Sequence, residues 1–250
     1  MTNVGPARSG GQSLAGGQSL ARFKGVNAWI FDLDNTLYPR RTNLFQQVDR
    51  RIHDYVASLL KLSREDARVI QKDYYQRYGT TLRGLMQEHR VDPDAFLAYV
   101  HDIDHSVVQP DPALAAAIAK LPGRRFILTN GSRAHAEKTA ERLGVTRHFD
   151  EIFDIVSSDL LPKPAAETYD RFIATTGVTP RHAAMFEDLS RNLAVPAALG
   201  MATVLIIPSE ATEMLGEAWE QEGREAAHVD FVTDNLTGFL EGVLAELAGG

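Results

Sequence analysis

Ala28-Trp29-Ile30-Phe31-Asp32-Leu33-Asp34-Asn35-Thr36-Leu37 is the stretch that decides the fold. Four consecutive apolar residues, two of them aromatic, suit a strand buried on both faces. Two carboxylates one residue apart follow at once, and carboxylates are depleted from strand interiors. Their position therefore reads as a strand end opening into a cleft. Side chains alternate along extended backbone, so Asp32 and Asp34 point to the same side, where together they can hold a divalent cation.

The chain behind this stretch divides into three parts. Residues 1–21 are rich in Gly, Ser and Gln, repeat Gly-Gly-Gln-Ser-Leu-Ala, and read as a disordered tail. From 38 to 105 turn signals are sparse and apolar residues recur at helical spacing. Leu44, Val48, Ile52, Tyr55, Val56 and Leu59 mark one amphipathic helix; Ala67, Ile70, Tyr74 and Tyr78 mark another. Ser63 with Asp66 forms a variant capping box, and Asp92-Pro93 supplies a cap followed by a proline fit for a first turn. This segment is predicted to be an all-helical cap.

From Pro110 onward helices and strands alternate. Helices are predicted over 111–121, 133–143, 165–176, about 193–199, 211–222 and the C-terminus, with strands over 125–129, 151–157, 182–187, 203–207 and 230–233. That alternation implies an α/β fold with a doubly wound parallel sheet, built from residues 22–37 and 106–250 with the cap inserted between them. In such sheets ligands bind at the carboxyl ends of the strands. Those ends carry Asp32 and Asp34; Thr129-Asn130-Gly131-Ser132 before a helix; Lys163 between two prolines; and Glu187-Asp188.

Composition narrows the function. The 250 residues carry a formal charge of −7, which argues against a nucleic-acid polymer as partner. The absence of cysteine excludes disulfides, thiolate metal sites and cysteine nucleophiles. No apolar run approaches the roughly 18 residues of a membrane span or a secretory core, so a cytoplasmic, membrane-free protein is expected. The oligomeric state is left open.

The strand-end residues resemble, in order and context, the four motifs of the haloacid dehalogenase-like superfamily: Asp32-x-Asp34-Asn35-Thr36, Thr129, Lys163 and Asp188. Phe31 to Tyr38, the segments Asp73-Tyr74-Tyr75-Gln76-Arg77-Tyr78-Gly79 and Arg83-Gly84-Leu85, and Met185 to Asn192 are similar to the pyrimidine 5′-nucleotidase branch. Glu187 departs from that pattern, standing where many relatives carry Asp, and Asn192 stands where more distant members carry an acid.

The resemblance implies a Mg²⁺-dependent phosphomonoesterase acting on a small phosphate ester, most simply a pyrimidine nucleoside 5′-monophosphate, with phosphoglycolate or a sugar phosphate as alternatives. It makes Asp32 the nucleophile, Asp34 the acid and base, and Thr129 and Lys163 their catalytic partners. Asn35, Asn130, Gly131, Arg83 and Tyr78 become substrate contacts. Asp32, the Asp34 main-chain carbonyl and Asp188 become Mg²⁺ ligands, with Asn192 behind them and Glu187 either a ligand or a partner to one. The cap's two connections are expected near 38–40 and 106–109. Carbon–halogen hydrolysis would use the nucleophile without proton transfer or metal, which leaves Asp34 and Asp188 unexplained, and an idle binding protein would leave the whole set unexplained. His101 and His105, four apart, read as a polar helix face rather than a zinc pair, since no third ligand is evident.

Overall fold

The computed structural model describes residues 19–209 and 223–249, so the helix predicted over 211–222 and tail residues 1–18 lie outside the described residues. Strand β1, Ala28–Phe31, is buried at every position. Alternation along it sends Trp29 and Phe31 into one hydrophobic cluster and Ala28 and Ile30 into another, one on each side of the sheet. Phe31 stacks on Phe186 with ring centroids 4.6 Å apart, and the Trp29 indole N–H donates to the Pro122 carbonyl at 2.7 Å. Full burial of a large apolar side chain is worth roughly 1.5–3 kcal/mol, so β1 anchors both layers.

Four helices form the insertion behind β1: α1 Leu44–Leu60, α2 Arg64–Tyr78, α3 Thr81–His89 and α4 Pro93–Val100. They pack around their own core of Val56, Ala67, Tyr74, Leu85, Phe96 and Val100. Asp92 caps α4 and Pro93 opens it; Ser63 caps α2 by accepting from the Asp66 N–H. Leu59 leaves the predicted apolar stripe, being 41% exposed near the helix end.

The remaining elements are α5 Pro112–Lys120, β2 Arg124–Leu128, α6 Arg133–Leu143, β3 Glu151–Phe153, α7 Ala166–Thr176, β4 Ala183–Glu187, α8 Ala194–Ala198, β5 Ala202–Ile206, β6 Phe231–Thr233 and α9 Leu236–Ala248. The six strands form one parallel sheet in the order β3-β2-β1-β4-β5-β6. The doubly wound core with a helical cap is therefore the observed architecture. β1 lies at its centre, flanked by β2 and β4, and the chain reverses its direction of winding there. Gly123 admits β2 to this position: its φ is +82°, and a β-carbon would stand 2.1 Å from the Asn27 carbonyl oxygen.

Two predicted boundaries are corrected. Ser19 to Ala21 do not belong to a tail, because Ser19 caps a short 3₁₀ turn, Leu20–Phe23, whose Phe23 stacks on Trp29. The strand predicted over 151–157 stops at Phe153. There the Asp154 carboxylate accepts from the N–H groups of Ser157 and Arg133, turning the chain and holding the start of α6.

Candidate active site

Asp32 follows β1 directly, its N–H donating to the Phe186 carbonyl at 2.9 Å, so the sheet itself fixes where the carboxylate emerges. Lys163 reaches it from the turn before α7. The Lys163 ammonium, 1% exposed, donates to Asp32 Oδ1 at 2.7 Å, Glu187 Oε1 at 2.6 Å and the Leu128 carbonyl at 2.8 Å. Three N–H groups thus meet three acceptors, which is what allows a lysine to be buried here. Asn130 holds the lysine's backbone from both sides: its Oδ1 accepts from the Lys163 N–H and its amide donates to the Lys163 carbonyl.

Glu187 receives two further donors, the Asn192 amide at 2.7 Å and the Leu189 N–H at 2.9 Å. Asp188 stands 3.6 Å from the Arg40 guanidinium and accepts from the Asn35 amide at 3.4 Å. Oxygens of Asp32, Glu187 and Asp188 all come within 4.8 Å of one another. Hard oxygen donors at this spacing fit a divalent cation of the magnesium class. No described residue accepts from the backbone N–H groups of Leu33, Asp34 or Asn130. The Thr129 hydroxyl accepts from the Gly131 N–H at 2.9 Å and so stands fixed beside them.

Charge and burial perturb these groups. Burial raises the Asp32 carboxyl to about 7: the Lys163 ammonium pulls it down, while Glu187 and Asp34 push it further up. For Lys163 the penalty of burial is outweighed by Asp32 and Glu187, which hold the ammonium charged. Burial would raise Asp34 as well, but His135 and the hydrogen bonds from His135 and Tyr38 keep its carboxyl below the ordinary range.

Asp32, Asp34, Asn35, Thr129, Asn130, Gly131, Lys163, Glu187, Asp188 and Asn192 all line one cavity of about 200 Å³. Its far wall comes from the cap: Phe45, Val48, Ile52, Leu82 and Phe96 are apolar, while Gln71 donates to Asp49 at 2.8 Å and Arg68 donates to the other Asp49 oxygen at 2.6 Å.

Two predicted substrate contacts are corrected. Tyr78 and Arg83 do not line this cavity. The Tyr78 ring packs edge-on against Tyr74, and its hydroxyl bonds to Arg77 and Glu88 on the outside of the cap; Arg83 is half-buried on α3. Tyr75, one position from Tyr74 on α2, faces the cleft instead.

The haloacid dehalogenase-like hydrolase profile matches residues 26–200, most of the chain and all of the strand ends that build the cavity. The chain is a haloacid dehalogenase-like hydrolase. It is similar to phosphate metabolism protein 8 of Saccharomyces cerevisiae, 24% identical over 195 residues, and the match takes in 71% of this chain but 60% of that relative's length. Among solved structures the hydrolase resembles a phosphatase from Thermococcus onnurineus (TM-score 0.56, 18% identity, 87% of this chain and 98% of that one). It also resembles L-2-haloacid dehalogenase from Xanthobacter autotrophicus (TM-score 0.53, 19% identity, 87% and 98%). At these identities the structures establish the fold they share.

Three side chains that reach the site's carboxylates were not among the predicted site residues. Arg40 reaches Asp188, while Tyr38 and His135 both bond Asp34. For His135 a signal existed: it lies three residues after the helix cap Ser132, in the first turn of the helix that starts at a site-bearing strand end. His101 and His105 share a neighbour in the His135 ring, which His101 stacks on and His105 approaches at 3.1 Å.

Proposed function

We propose that this hydrolase is a Mg²⁺-dependent phosphomonoesterase that works through an aspartyl-phosphate, with a pyrimidine nucleoside 5′-monophosphate as the favoured substrate. The observation that carries the reaction class is the second carboxylate, Asp34, in the same cavity as Asp32. Its Oδ2 takes no bond from any described residue. Dehalogenation has no use for such a group, whereas ester hydrolysis needs a proton first delivered and then removed.

In the first step Asp32 attacks phosphorus, and the bond to the ester oxygen breaks. That oxygen takes the electron pair and a proton from Asp34. A phosphate dianion beside Asp34 favours the protonated carboxyl that this step requires. In the second step water attacks phosphorus, the bond to Asp32 breaks and restores the carboxylate, and Asp34 receives the water's proton. Lys163 offsets charge on Asp32 and the transferring oxygens; Thr129 and the open N–H groups of Leu33, Asp34 and Asn130 hold those oxygens. Mg²⁺, held by Asp32, Asp188 and the Asp34 carbonyl, would offset phosphoryl charge. Glu187, already engaged by three N–H donors, serves Lys163 rather than the cation.

The cap wall supports the choice of leaving group. An apolar surface ending in the Asp49–Gln71–Arg68 cluster suits an uncharged planar ring with a polar edge better than the carboxylate of phosphoglycolate. Turnover of UMP, CMP, AMP, phosphoglycolate, sugar phosphates and 2-chloropropionate, each with and without chelator, tests the assignment. The expected order puts UMP and CMP first, with chelator and Asp32→Asn each abolishing turnover. Better turnover of phosphoglycolate would defeat the nucleotidase reading, and chloride release without phosphate release would defeat the phosphatase reading.

A further inference from the structure

Both hydrogen bonds that Asp34 accepts fall on the same oxygen. The Tyr38 hydroxyl and the His135 Nε2–H, the latter at 2.9 Å, each donate to Oδ1. His135 is itself immobilised. It is 1% exposed, its Nδ1 lies 3.1 Å from His105 Nε2, and the His101 ring stacks on its face at 4.5 Å. His101 is in turn bonded to the Ser132 hydroxyl at 3.0 Å. A carboxylate that receives two donors on one oxygen can no longer turn about its Cβ–Cγ bond without breaking both. Oδ2 is left facing the cavity.

We propose that His135 is a positioning residue of phosphoryl transfer: with Tyr38 it fixes Asp34 so that Oδ2 alone meets the ester oxygen and, later, the attacking water. The proposal rests on the phosphomonoesterase reading above. Its geometry also explains why α6 begins where it does. Asp154 holds the Arg133 N–H, and this sets the first turn so that His135, at its end, points back toward the β1 strand end. Gly131 makes room for that approach, since a β-carbon there would lie 3.2 Å from the His135 ring.

Leaving groups of different quality separate positioning of a proton donor from mere packing. Nitrophenolate departs without a proton, while the 5′-oxygen of UMP does not. First-turnover rates with p-nitrophenyl phosphate and UMP are measured for the Mg²⁺-loaded wild type, His135→Leu, His135→Gln and Tyr38→Phe, with circular dichroism confirming the fold. In His135→Leu and Tyr38→Phe the first turnover of UMP falls about 10- to 100-fold. The stoichiometric burst of nitrophenolate keeps its rate and is followed by slowed steady-state release, because the second step still needs Asp34. His135→Gln, whose amide N–H can stand in for Nε2–H, recovers most of the UMP rate.

Equal slowing of both first turnovers, or a Gln variant no better than Leu, overturns the proposal. Tyr38→Phe keeps it decidable if His135→Leu does not fold, because the same split between substrates is expected there. A wild type that releases phosphate from neither ester overturns the underlying reading instead.

Discussion

Lys163 is the residue on which the charge balance of the site turns. Its ammonium lies between two buried carboxylates, Asp32 and Glu187, and its third hydrogen bond goes to the sheet backbone. Replacing it with methionine keeps much of the volume and leaves both acids without their cation. Breaking a buried ion pair from one side costs about 3–5 kcal/mol, so Lys163→Met is expected to lose most of that in a urea titration at pH 8. The sign with pH follows from Asp32, whose carboxyl already sits at about 7 and is raised further once Lys163 is gone. A group raised in the folded state favours folding at low pH and loses that contribution as pH rises through its folded value. The deficit of Lys163→Met therefore shrinks between pH 8 and pH 5.5, and a deficit independent of pH would contradict this account. Lysine between two prolines was visible in the sequence because its motif is local. Tyr78 and Arg83 were misplaced for the opposite reason: which face of a cap helix meets the cleft depends on how four helices pack. His135 was hidden likewise, since its partner Asp34 lies 101 positions away.

At the scale of elements, the cap holds together through one close crossing. Gly84 in α3 lies so near α2 that a β-carbon would stand 2.5 Å from Tyr74 Cγ and 2.6 Å from its Cβ. Those atoms sit beside the α2 backbone and cannot swing away, and the ring is pinned by a 2.7 Å contact between the Tyr74 hydroxyl and His89 Nε2. Gly84→Ala gains about 1 kcal/mol of helix propensity but overpacks the crossing by about 1–3 kcal/mol. Net destabilisation of up to about 2 kcal/mol is expected in urea unfolding, with the exposed Gln87→Ala on the same helix as the neutral reference; stabilisation by Gly84→Ala would show that α2 and α3 are not held at this distance. The same glycine explains why α3 was not read from periodicity, for a residue that weakens a helix locally is here required by its neighbour. Helices with a side-chain cap, such as α2 and α6, or a clean apolar stripe, such as α1, were readable, as was every strand of the sheet. The end of β3 was not, because an aspartate side chain bonding two backbone N–H groups competes with the strand there.

For the whole molecule, parallel strands and helices in alternation made the sheet and its carboxyl edge predictable, and the cap's insertion just after the first strand placed it at that edge, while the cap side chains that face the cleft needed the tertiary packing. The consequence of the assembled edge is a concentration of acid. Asp32, Asp34, Glu187 and Asp188 meet around Lys163 and Arg40, so the folded chain without a cation holds more negative than positive charge at this point. A divalent cation that binds the folded chain alone stabilises it by mass action, about 2.7 kcal/mol at a concentration one hundred times its dissociation constant. If Asp32 holds the cation as proposed, a proton on its carboxylate competes with it. With the Asp32 carboxyl at about 7, the competition is strong at pH 6 and weak at pH 8. The stability that the metal-free protein loses as pH rises toward 7 is the other side of the same linkage, since the folded chain gives up the Asp32 proton there and the cation's hold strengthens. Thermal unfolding with and without Mg²⁺ at pH 6, 7 and 8 should therefore show an increment that grows with pH, and Asp188→Asn should diminish it throughout. An increment of equal size at all three values would remove Asp32 from the cation's ligands. The nucleophile would then face phosphorus with its charge offset by Lys163 alone.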